Sequence, residues 1–197
     1  MRRMIQFMLG VAVFAAPLLA QDQAEAARTA AGCGSNETHF TVKTDKNQHP
    51  TAQPEAGKAL VYVFGDEEID NVTLHVGSAI TRWGLDGAWA GANDRKSYFY
   101  FPVEPGEHRL CTRRQSSFKS INKVSAALTF TAEPGKVYYF RTKTPHISHV
   151  GGTVPKEDQV ILVPLDPAEA QLLIANSAFS VSQPKAAEKD SARNESQ

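Results

Sequence analysis

The sequence is poor in cysteine, has no excess of either charge and lacks the short motifs of common enzymes. Only 2 of its 197 residues are cysteine, and 21 basic side chains balance 21 acidic ones. Neither cysteine has a second cysteine at the spacing of a zinc site, and the charge balance argues against a protein that coats nucleic acid. The Gly-x-Ser-x-Gly, His-Glu-x-x-His and glycine-rich phosphate-loop motifs are also missing. The sequence therefore predicts a non-enzymatic protein that uses no cofactor.

The one long apolar stretch lies at the N-terminus. Arg2 and Arg3 precede an uncharged stretch that ends at Ala20. A basic start, a short apolar core and a small final residue are typical of a secretory signal peptide. The stretch is also shorter than the roughly 20 residues of a membrane-spanning helix. We therefore predict a signal peptide at residues 1–20, with cleavage after Ala20 or after Ala26. The mature protein is predicted to be periplasmic or secreted and to contain no transmembrane segment.

The two cysteines, Cys33 and Cys111, are predicted to form one disulfide, because exported proteins fold in an oxidising compartment. Such a bond would join the N-terminal segment to a strand in the middle of the chain. Two alternatives stay open at this point. Cys33 follows Ala-Gly, as a lipidated cysteine can, although charged residues separate it from the apolar stretch. Two free thiols are the other alternative.

Two segments share the same turn sequence. Residues 98–111 and 127–140 each place Glu-Pro-Gly between runs of aromatic and β-branched residues. Proline presets the φ angle of the first central residue of a turn, and glycine accepts the positive φ that follows. The flanking residues suit a pleated, half-buried surface. Each segment is therefore predicted to be a hairpin of the form strand, turn, strand.

A third hairpin is predicted around the dipeptide Asp-Gly at residues 86–87, which is the strongest short-range hairpin signal. If these two residues form the turn, Gly84 faces Trp89 and Trp83 faces Ala90. Because side chains alternate along a strand, the two tryptophans are expected on opposite faces of the hairpin. One of them is expected in the core, and the ring of Trp89 is expected to cover the bare backbone of Gly84.

Further strands are predicted at residues 39–43, 60–64, 71–76 and 160–163. The segment at residues 60–64 is almost entirely apolar, which indicates a central strand buried on both faces. Asp166, Pro167 and Glu169 form a capping-box pattern that predicts the start of a short helix. Its apolar side is expected to consist of Leu172, Leu173 and Ile174 and to pack on the rest of the domain.

These elements predict an all-β protein. Strands recur about every ten residues without helices between them, which favours an antiparallel two-sheet β-sandwich, transthyretin-like or Ig-like, with one short C-terminal helix. The predicted organisation is an N-terminal segment and linker at residues 21–57, a sandwich domain at residues 58–182 and a disordered tail at residues 183–197. The predicted core consists of Leu60, Tyr62, Val63, Phe99, Phe101, Leu110, Leu128, Phe130, Tyr138, Phe140, Ile161 and Val163.

Several short motifs occur in an order that is typical of one family. They are the segment from Gly57 to Val63, Leu85-Asp86-Gly87 with Trp89 and Gly91, the segment from Tyr98 to Phe101, the segment from Pro105 to His108, and the segment from Gly135 to Phe140. In this pattern residues 57 to about 182 resemble a bacterial family catalogued as domain of unknown function 2846. The pattern is also similar to small transthyretin-like and surface-layer sandwich modules. The resemblance implies an exported or envelope-associated sandwich, and it implies no activity and no catalytic residue.

One surface is a candidate for ligand binding. Trp89 and Tyr98 could form a stacking platform for a sugar, and Arg113 and Arg114 lie in a predicted basic loop that also contains Lys119 and Lys123. Such a loop attracts anionic glycans or lipids by charge. The alternatives are that the aromatic residues belong to the core and that the loop is merely solvated.

Metal binding has two weaker candidates. His146 and His149 are three residues apart in a predicted loop and could share a metal ion. The acidic cluster at residues 66–70 offers the carboxylate oxygens that calcium prefers, although it lacks the alternation and the glycine of an EF-hand. Solvated loops are the alternative in both places.

Three functions follow from these patterns. The first is a non-enzymatic exported module that acts by contact with an unidentified envelope or surface partner. The second is a small-ligand or glycan-binding module. The third is a metal-assisted hydrolase that uses His146 and His149.

Overall fold

The computed structural model describes residues 33–65, 80–116, 124–149, 152–155 and 159–185. Several predicted features lie outside the described residues: the signal peptide, the acidic cluster, the strand at residues 71–76, Lys119, Lys123 and the end of the predicted tail. The predictions made for them stay predictions.

The described residues form twelve strands and one helix. The strands are β1 His39–Asp45, β2 Ala59–Phe64, β3 Ile80–Leu85, β4 Ala88–Asn93, β5 Ser97–Val103, β6 Gly106–Gln115, β7 Ser125–Ala132, β8 Val137–Lys143, β9 His146–His149, β10 Gly152–Pro155, β11 Ile161–Pro164 and β12 Ala178–Lys185. The helix is α1 Pro167–Asn176.

Two sheets pack against each other, which confirms the predicted sandwich. One sheet has six strands in the order β1-β12-β5-β2-β8-β11, and the other has four in the order β4-β3-β6-β7. Strands β9 and β10 form a separate hairpin. The four-stranded sheet is antiparallel throughout. The prediction that both sheets are antiparallel is wrong for the six-stranded sheet. This sheet is mixed, because β12 runs parallel to β5 and β2 runs parallel to β8, and the strands of each pair are distant in sequence.

The two Glu-Pro-Gly turns connect the sheets, so the prediction that they close hairpins is wrong. The first turn leads from β5 in the six-stranded sheet to β6 in the four-stranded sheet, and the second leads back from β7 to β8. The turn chemistry itself is as predicted at the second site, where Gly135 has a φ of 73° and Lys136 N–H donates to the Glu133 carbonyl at 3.2 Å. The sequence identified both chain reversals correctly. The local sequence of a reversal is the same whether the next strand pairs with the previous one in the same sheet or lies in the facing sheet.

The Asp-Gly hairpin is confirmed, with one change of register. Asp86 and Gly87 both have positive φ, as a type I′ turn requires. Gly84 pairs with Trp89 as predicted, but a bulge then shifts the register, so Trp83 pairs with Gly91 and not with Ala90. The bulge adds one residue to β4, which local pairing rules do not predict.

Strand β2 is buried along its whole length, as predicted, because both faces of its sheet are covered. Its alternate residues enter two apolar clusters. Ala59, Val61 and Val63 lie between the two sheets with Trp83, Phe99, Leu110 and Phe140. Leu60, Tyr62 and Phe64 lie on the opposite face, beside Tyr98 of β5 and packed against the helix residues Ala170 and Ile174.

Most of the predicted core is correct, but Ile161 and Val163 belong to neither core cluster. Phe101, Leu128, Phe130 and Tyr138 are only partly buried, and Ile161 is 44% exposed. Ile161 begins β11, the last strand of its sheet, so one of its sides has no neighbouring strand among the described residues. The prediction omitted Trp83, Phe64 and Tyr98, which are among the most completely buried side chains.

Helix α1 begins as predicted. The carboxylate of Asp166 accepts hydrogen bonds from the backbone N–H groups of Ala168 and Glu169 at 2.9 and 3.0 Å. Glu169 forms an ion pair with Arg141 at 3.1 Å, which ties the helix to β8. The predicted apolar side is partly wrong, because Leu172 is 64% exposed while Ala170 is buried.

The sheet extends beyond both predicted domain boundaries. Strand β1 pairs with β12 from His39 opposite Lys185 to Asp45 opposite Phe179. Residues predicted as an N-terminal segment and as a disordered tail therefore form the edge of the six-stranded sheet together. The predicted strand at residues 39–43 is present as part of β1. Its polar composition suits a strand that is covered on one face only.

Candidate binding surfaces

The structure separates the residues of the predicted ligand surface. Tyr98 is completely buried under α1, where its ring stacks on Phe64 and its hydroxyl donates to the Pro50 carbonyl at 3.0 Å. Burial, together with the charges of nearby tyrosines, raises the pKa of Tyr98 to about 12. Tyr98 therefore belongs to the core and cannot stack on a sugar.

Arg113 and Arg114 lie in β6, and not in a loop, so they point to opposite faces of the sheet. Arg114 is buried, and its guanidinium donates to the Thr144 hydroxyl at 2.9 Å. Arg113 is half-buried and lies on the outer face, opposite the outward-facing Arg82 of β3. Of the two predicted arginines, only Arg113 shares a face with Trp89.

Trp89 is held in place by the N-terminal segment, defined here as residues 33–38. Its indole N–H donates to the Ser35 carbonyl at 2.8 Å, and its ring lies against the backbone of Gly34. The prediction that Trp89 covers Gly84 is wrong, since a Cβ atom at Gly84 would lie 2.8 Å from the carbonyl oxygen of Cys33. Trp89 therefore covers Gly34 of the N-terminal segment, and not Gly84.

The predicted disulfide between Cys33 and Cys111 is present. It attaches the N-terminal segment to the outer face of the four-stranded sheet beside Gly84, the cross-strand neighbour of Cys111. Gly84 has no side chain, so the backbone of Cys33 can approach this strand closely. The disulfide and the glycine together allow the N-terminal segment to lie flat on the sheet.

The predicted metal ligands occupy a hairpin. His146 and His149 are the first and last residues of β9. Among the residues that the structure describes, no group of three histidine, cysteine, aspartate or glutamate side chains is placed to hold a metal ion.

The two sides of the sandwich differ. On one side β4 meets β12, where the Ser182 hydroxyl accepts a hydrogen bond from the Ala92 N–H at 2.9 Å. On the other side β7 and β11 are the last strands of their sheets, and within the described ranges no strand pairs with the outer edge of β7. We call this second side the open side.

An apolar cleft of about 520 Å³ lies at the open side. Leu128 and Phe130 of β7 line one wall, Tyr138 and Phe140 of β8 line another, and Leu162 of β11 completes it. The ring of Phe130 lies 5.3 Å from that of Tyr138 and 5.0 Å from that of Phe140, measured between centroids. The cleft is thus the incompletely closed end of the core between the sheets.

A histidine links two turns near this cleft. His108 Nδ1 lies 2.6 Å from Asp86 Oδ2 in the Asp-Gly turn, and His108 Nε2 lies 2.7 Å from the Glu104 carbonyl in the first Glu-Pro-Gly turn. Both partners are acceptors, so only the doubly protonated ring can donate to both. Burial lowers the pKa of His108, but the bonds to Asp86 and Glu104 and the charge of Asp86 outweigh it, so the pKa is raised.

This link predicts a pH-dependent contribution to stability. Because the pKa of His108 is raised in the folded protein, its stabilisation is fully present below the unfolded pKa of about 6.5 and disappears as pH rises through the folded value. We expect His108→Gln to destabilise the protein most at acidic pH, with a smaller difference above neutrality. Urea unfolding of both proteins at a series of pH values measures this difference. His39→Gln, which removes an exposed imidazole, is the control, and the same profile for both variants would contradict the prediction.

Sequence reasoning missed Arg82, His108 and the cleft. Arg82 lies in β3, where the alternation of apolar and polar residues gives no sign of a buried charge. Its burial depends on the N-terminal segment, which covers it. The Pro-Gly-Glu-His motif did mark His108, but the motif was interpreted only as a turn. The cleft arises from the pairing order of strands that are distant in sequence, which no local pattern contains.

Comparison with known proteins identifies a family and no function. The family model described as "Protein of unknown function (DUF2846)" matches residues 55–153, about half of the chain. The match ends before α1 and β12, so it is shorter than the predicted resemblance. No curated protein and no solved structure is significantly similar to the chain. Among the described residues, no helix is both long and apolar enough to cross a membrane.

Proposed function

The chain belongs to the DUF2846 family, and we propose that it is an exported, non-enzymatic module that binds an extended segment of an envelope or surface protein. The observation that carries this proposal is the open side of the sandwich, where no described strand pairs with the outer edge of β7 and an apolar cleft lies beside it. The partner is expected to add a strand to β7, a recognition mode in which backbone hydrogen bonds provide affinity.

Strand β7 lacks the features that normally protect an edge strand. Its eight residues, Ser-Ala-Ala-Leu-Thr-Phe-Thr-Ala, contain no charge and no proline, and its pairing with β6 is regular from end to end. Natural proteins usually place charges, prolines or bulges on exposed edges, because unpaired backbone groups otherwise bind other chains. The other edge strand of the open side, β11, has only four residues and ends in Pro164. Strand β7 is therefore the better template.

The cleft indicates the chemistry of the partner. Exposed and half-buried residues alternate along β7: the half-buried Leu128 and Phe130 line the cleft, and Ala127, Thr129 and Thr131 are exposed. An added strand would place every second side chain over the same cleft. The partner segment is thus expected to be uncharged, with apolar residues at alternate positions.

Two features support export. The first is the signal peptide predicted at residues 1–20. The second is the disulfide between Cys33 and Cys111, which is compatible with an oxidising compartment.

A small apolar ligand is the second candidate occupant. The volume of the cleft lies within the range of roughly 300–1,000 Å³ that is usual for small-molecule sites. The ligand-binding function suggested by the sequence would then use this cleft and not the Trp89 and Tyr98 surface.

Leu128→Lys is expected to weaken the binding of a strand-forming peptide by at least about tenfold. The substitution places a positive charge on the edge strand β7, facing the cleft. Natural proteins use such inward-pointing charges to block the addition of another strand. The probe is a fluorescein-labelled peptide of the length of β7 with alternating valine and threonine. Its fluorescence anisotropy is measured against the full-length mature protein, and circular dichroism checks that the variant is folded.

The matched control is Leu172→Lys, which makes the same change at an exposed position of α1 and is expected to leave peptide binding unaltered. Absence of saturable peptide binding to the unmodified protein would reject the strand partner. If a long-chain fatty acid binds instead and Leu128→Lys abolishes that binding, the small-ligand function replaces the proposal.

A further inference from the structure

The outer face of the four-stranded sheet brings two arginines together. Arg82 of β3 and Arg113 of β6 are direct cross-strand neighbours. In the part of the chain that the structure describes, neither guanidinium has a carboxylate within ion-pair distance. Like charges directly opposite each other on neighbouring strands destabilise a sheet. This pair therefore calls for a physical explanation.

Arg82 is almost completely buried although it carries a charge. Its side chain is 3% exposed, and its Nη1 donates to the carbonyls of Thr38 and Asn36 at 2.7 and 3.4 Å. The guanidinium carbon lies 4.7 Å from the centroid of the Trp89 ring. These contacts hold the guanidinium in one position, but the Nε atom is buried and has no hydrogen-bond partner. Burial and the nearby charge of Arg113 lower the pKa of Arg82 to about 10.

Arg113 forms the accessible half of the pair. Its side chain is half-buried, and its Nε atom is likewise buried without a hydrogen-bond partner. Arg82 Nη2 donates to the Arg114 carbonyl at 3.5 Å, so the unused donors shown for this cross-strand pair are the two Nε atoms. A buried charged group is costly unless an opposite charge accompanies it.

We propose that Arg82 and Arg113 form a binding site for a single oxyanion group, a carboxylate or a phosphate. An oxyanion would neutralise the repulsion between the two arginines and accept hydrogen bonds from the planar guanidinium groups, which match both anions geometrically. The N-terminal segment and Trp89 hold Arg82 in place, and Arg113 provides access from solvent. This site is independent of the cleft, so either proposal can fail without the other.

Arg113→Gln provides the test, because its expected effect on the melting temperature relative to the unmodified protein differs between buffers with and without an oxyanion. In a buffer that contains only chloride, the variant is expected to melt at the same temperature as the unmodified protein or higher, because the repulsion is removed. Millimolar inorganic phosphate or galacturonate is expected to raise the melting temperature of the unmodified protein but not that of the variant. Isothermal titration calorimetry is expected to show at least about tenfold weaker binding to the variant.

Arg109→Gln is the matched control. It removes the same charge from the same face of β6, four residues and about 13 Å away, and it is expected to change the affinity less than about twofold. Binding of both anions supports a site for either oxyanion, and binding of galacturonate alone supports a carboxylate site of the kind a sugar acid would occupy. The proposal is overturned if neither anion stabilises the protein more than sodium chloride of equal ionic strength. It is also overturned if Arg109→Gln weakens binding as much as Arg113→Gln, because the effect is then only general charge attraction.

Discussion

Replacing both Cys33 and Cys111 by alanine is expected to lower the free energy of unfolding by about 4.5 kcal/mol. The disulfide closes a loop of 78 residues, and the chain-entropy model assigns this cost to the added freedom of the unfolded chain. The loss is a large part of the roughly 5–15 kcal/mol that typically stabilises a domain. Urea unfolding followed by far-ultraviolet circular dichroism measures it.

The double variant should also show a local change in the folded state. The disulfide anchors the N-terminal segment, which holds Trp89 through the Ser35 carbonyl and the Gly34 backbone. We therefore expect the fluorescence of Trp89 to shift towards that of an exposed indole before global unfolding. Reduction of the unmodified protein with dithiothreitol should reproduce both effects, and a stability change below about 1 kcal/mol would contradict the structural role assigned to this disulfide.

Trp83→Ala is expected to destabilise the protein by about 3–5 kcal/mol, the usual cost of removing a large aromatic side chain from a core. Trp83 is completely buried between the two sheets, and its indole N–H donates to Asn93 Oδ1 at 2.8 Å. The Asn93 amide in turn donates to the Ser97 carbonyl at 2.7 Å, which connects β4 to the start of β5. The substitution therefore creates a cavity and also leaves a buried acceptor without its donor.

Trp83→Phe separates these two effects, and it is useful if the alanine variant does not fold. Phenylalanine keeps most of the apolar volume but cannot donate to Asn93, so a loss of about 1–3 kcal/mol is expected. The matched control is Trp89→Phe, because the Trp89 indole N–H donates its hydrogen bond at the surface. This substitution is expected to lower the free energy of unfolding by less than about 1 kcal/mol. Chemical denaturation of the three variants measures the differences. Equal costs for Trp83→Phe and Trp89→Phe would show that the buried hydrogen bond has no special weight.

Both proposed binding regions involve the four-stranded sheet, although β8 and β11 of the other sheet also line the cleft. The strand edge that is expected to accept a partner belongs to β7, and Arg113 of the proposed oxyanion site pairs with Ser125 of that same strand. On the outer face of the six-stranded sheet, Tyr62 and Tyr98 pack with helix α1. The surfaces available for contact are thus concentrated on the sheet that lacks a covering helix.

The amino-acid sequence by itself determined most of the strands, the reversals, the helix start and the disulfide of this protein, but not β9, β10 and β12. Each depends on short-range chemistry: the apolar run of β2, the positive φ of Gly87 and Gly135, the capping carboxylate of Asp166, and the presence of only two cysteines in a chain with a predicted export signal. Only the tertiary structure decided which strands pair. A Glu-Pro-Gly turn reverses the chain equally well within a sheet or between sheets, and the choice depends on contacts with distant strands. The same long-range pairing leaves β7 at an edge, buries Tyr98 and brings Arg82 beside Arg113, so the candidate sites could not be found from local patterns.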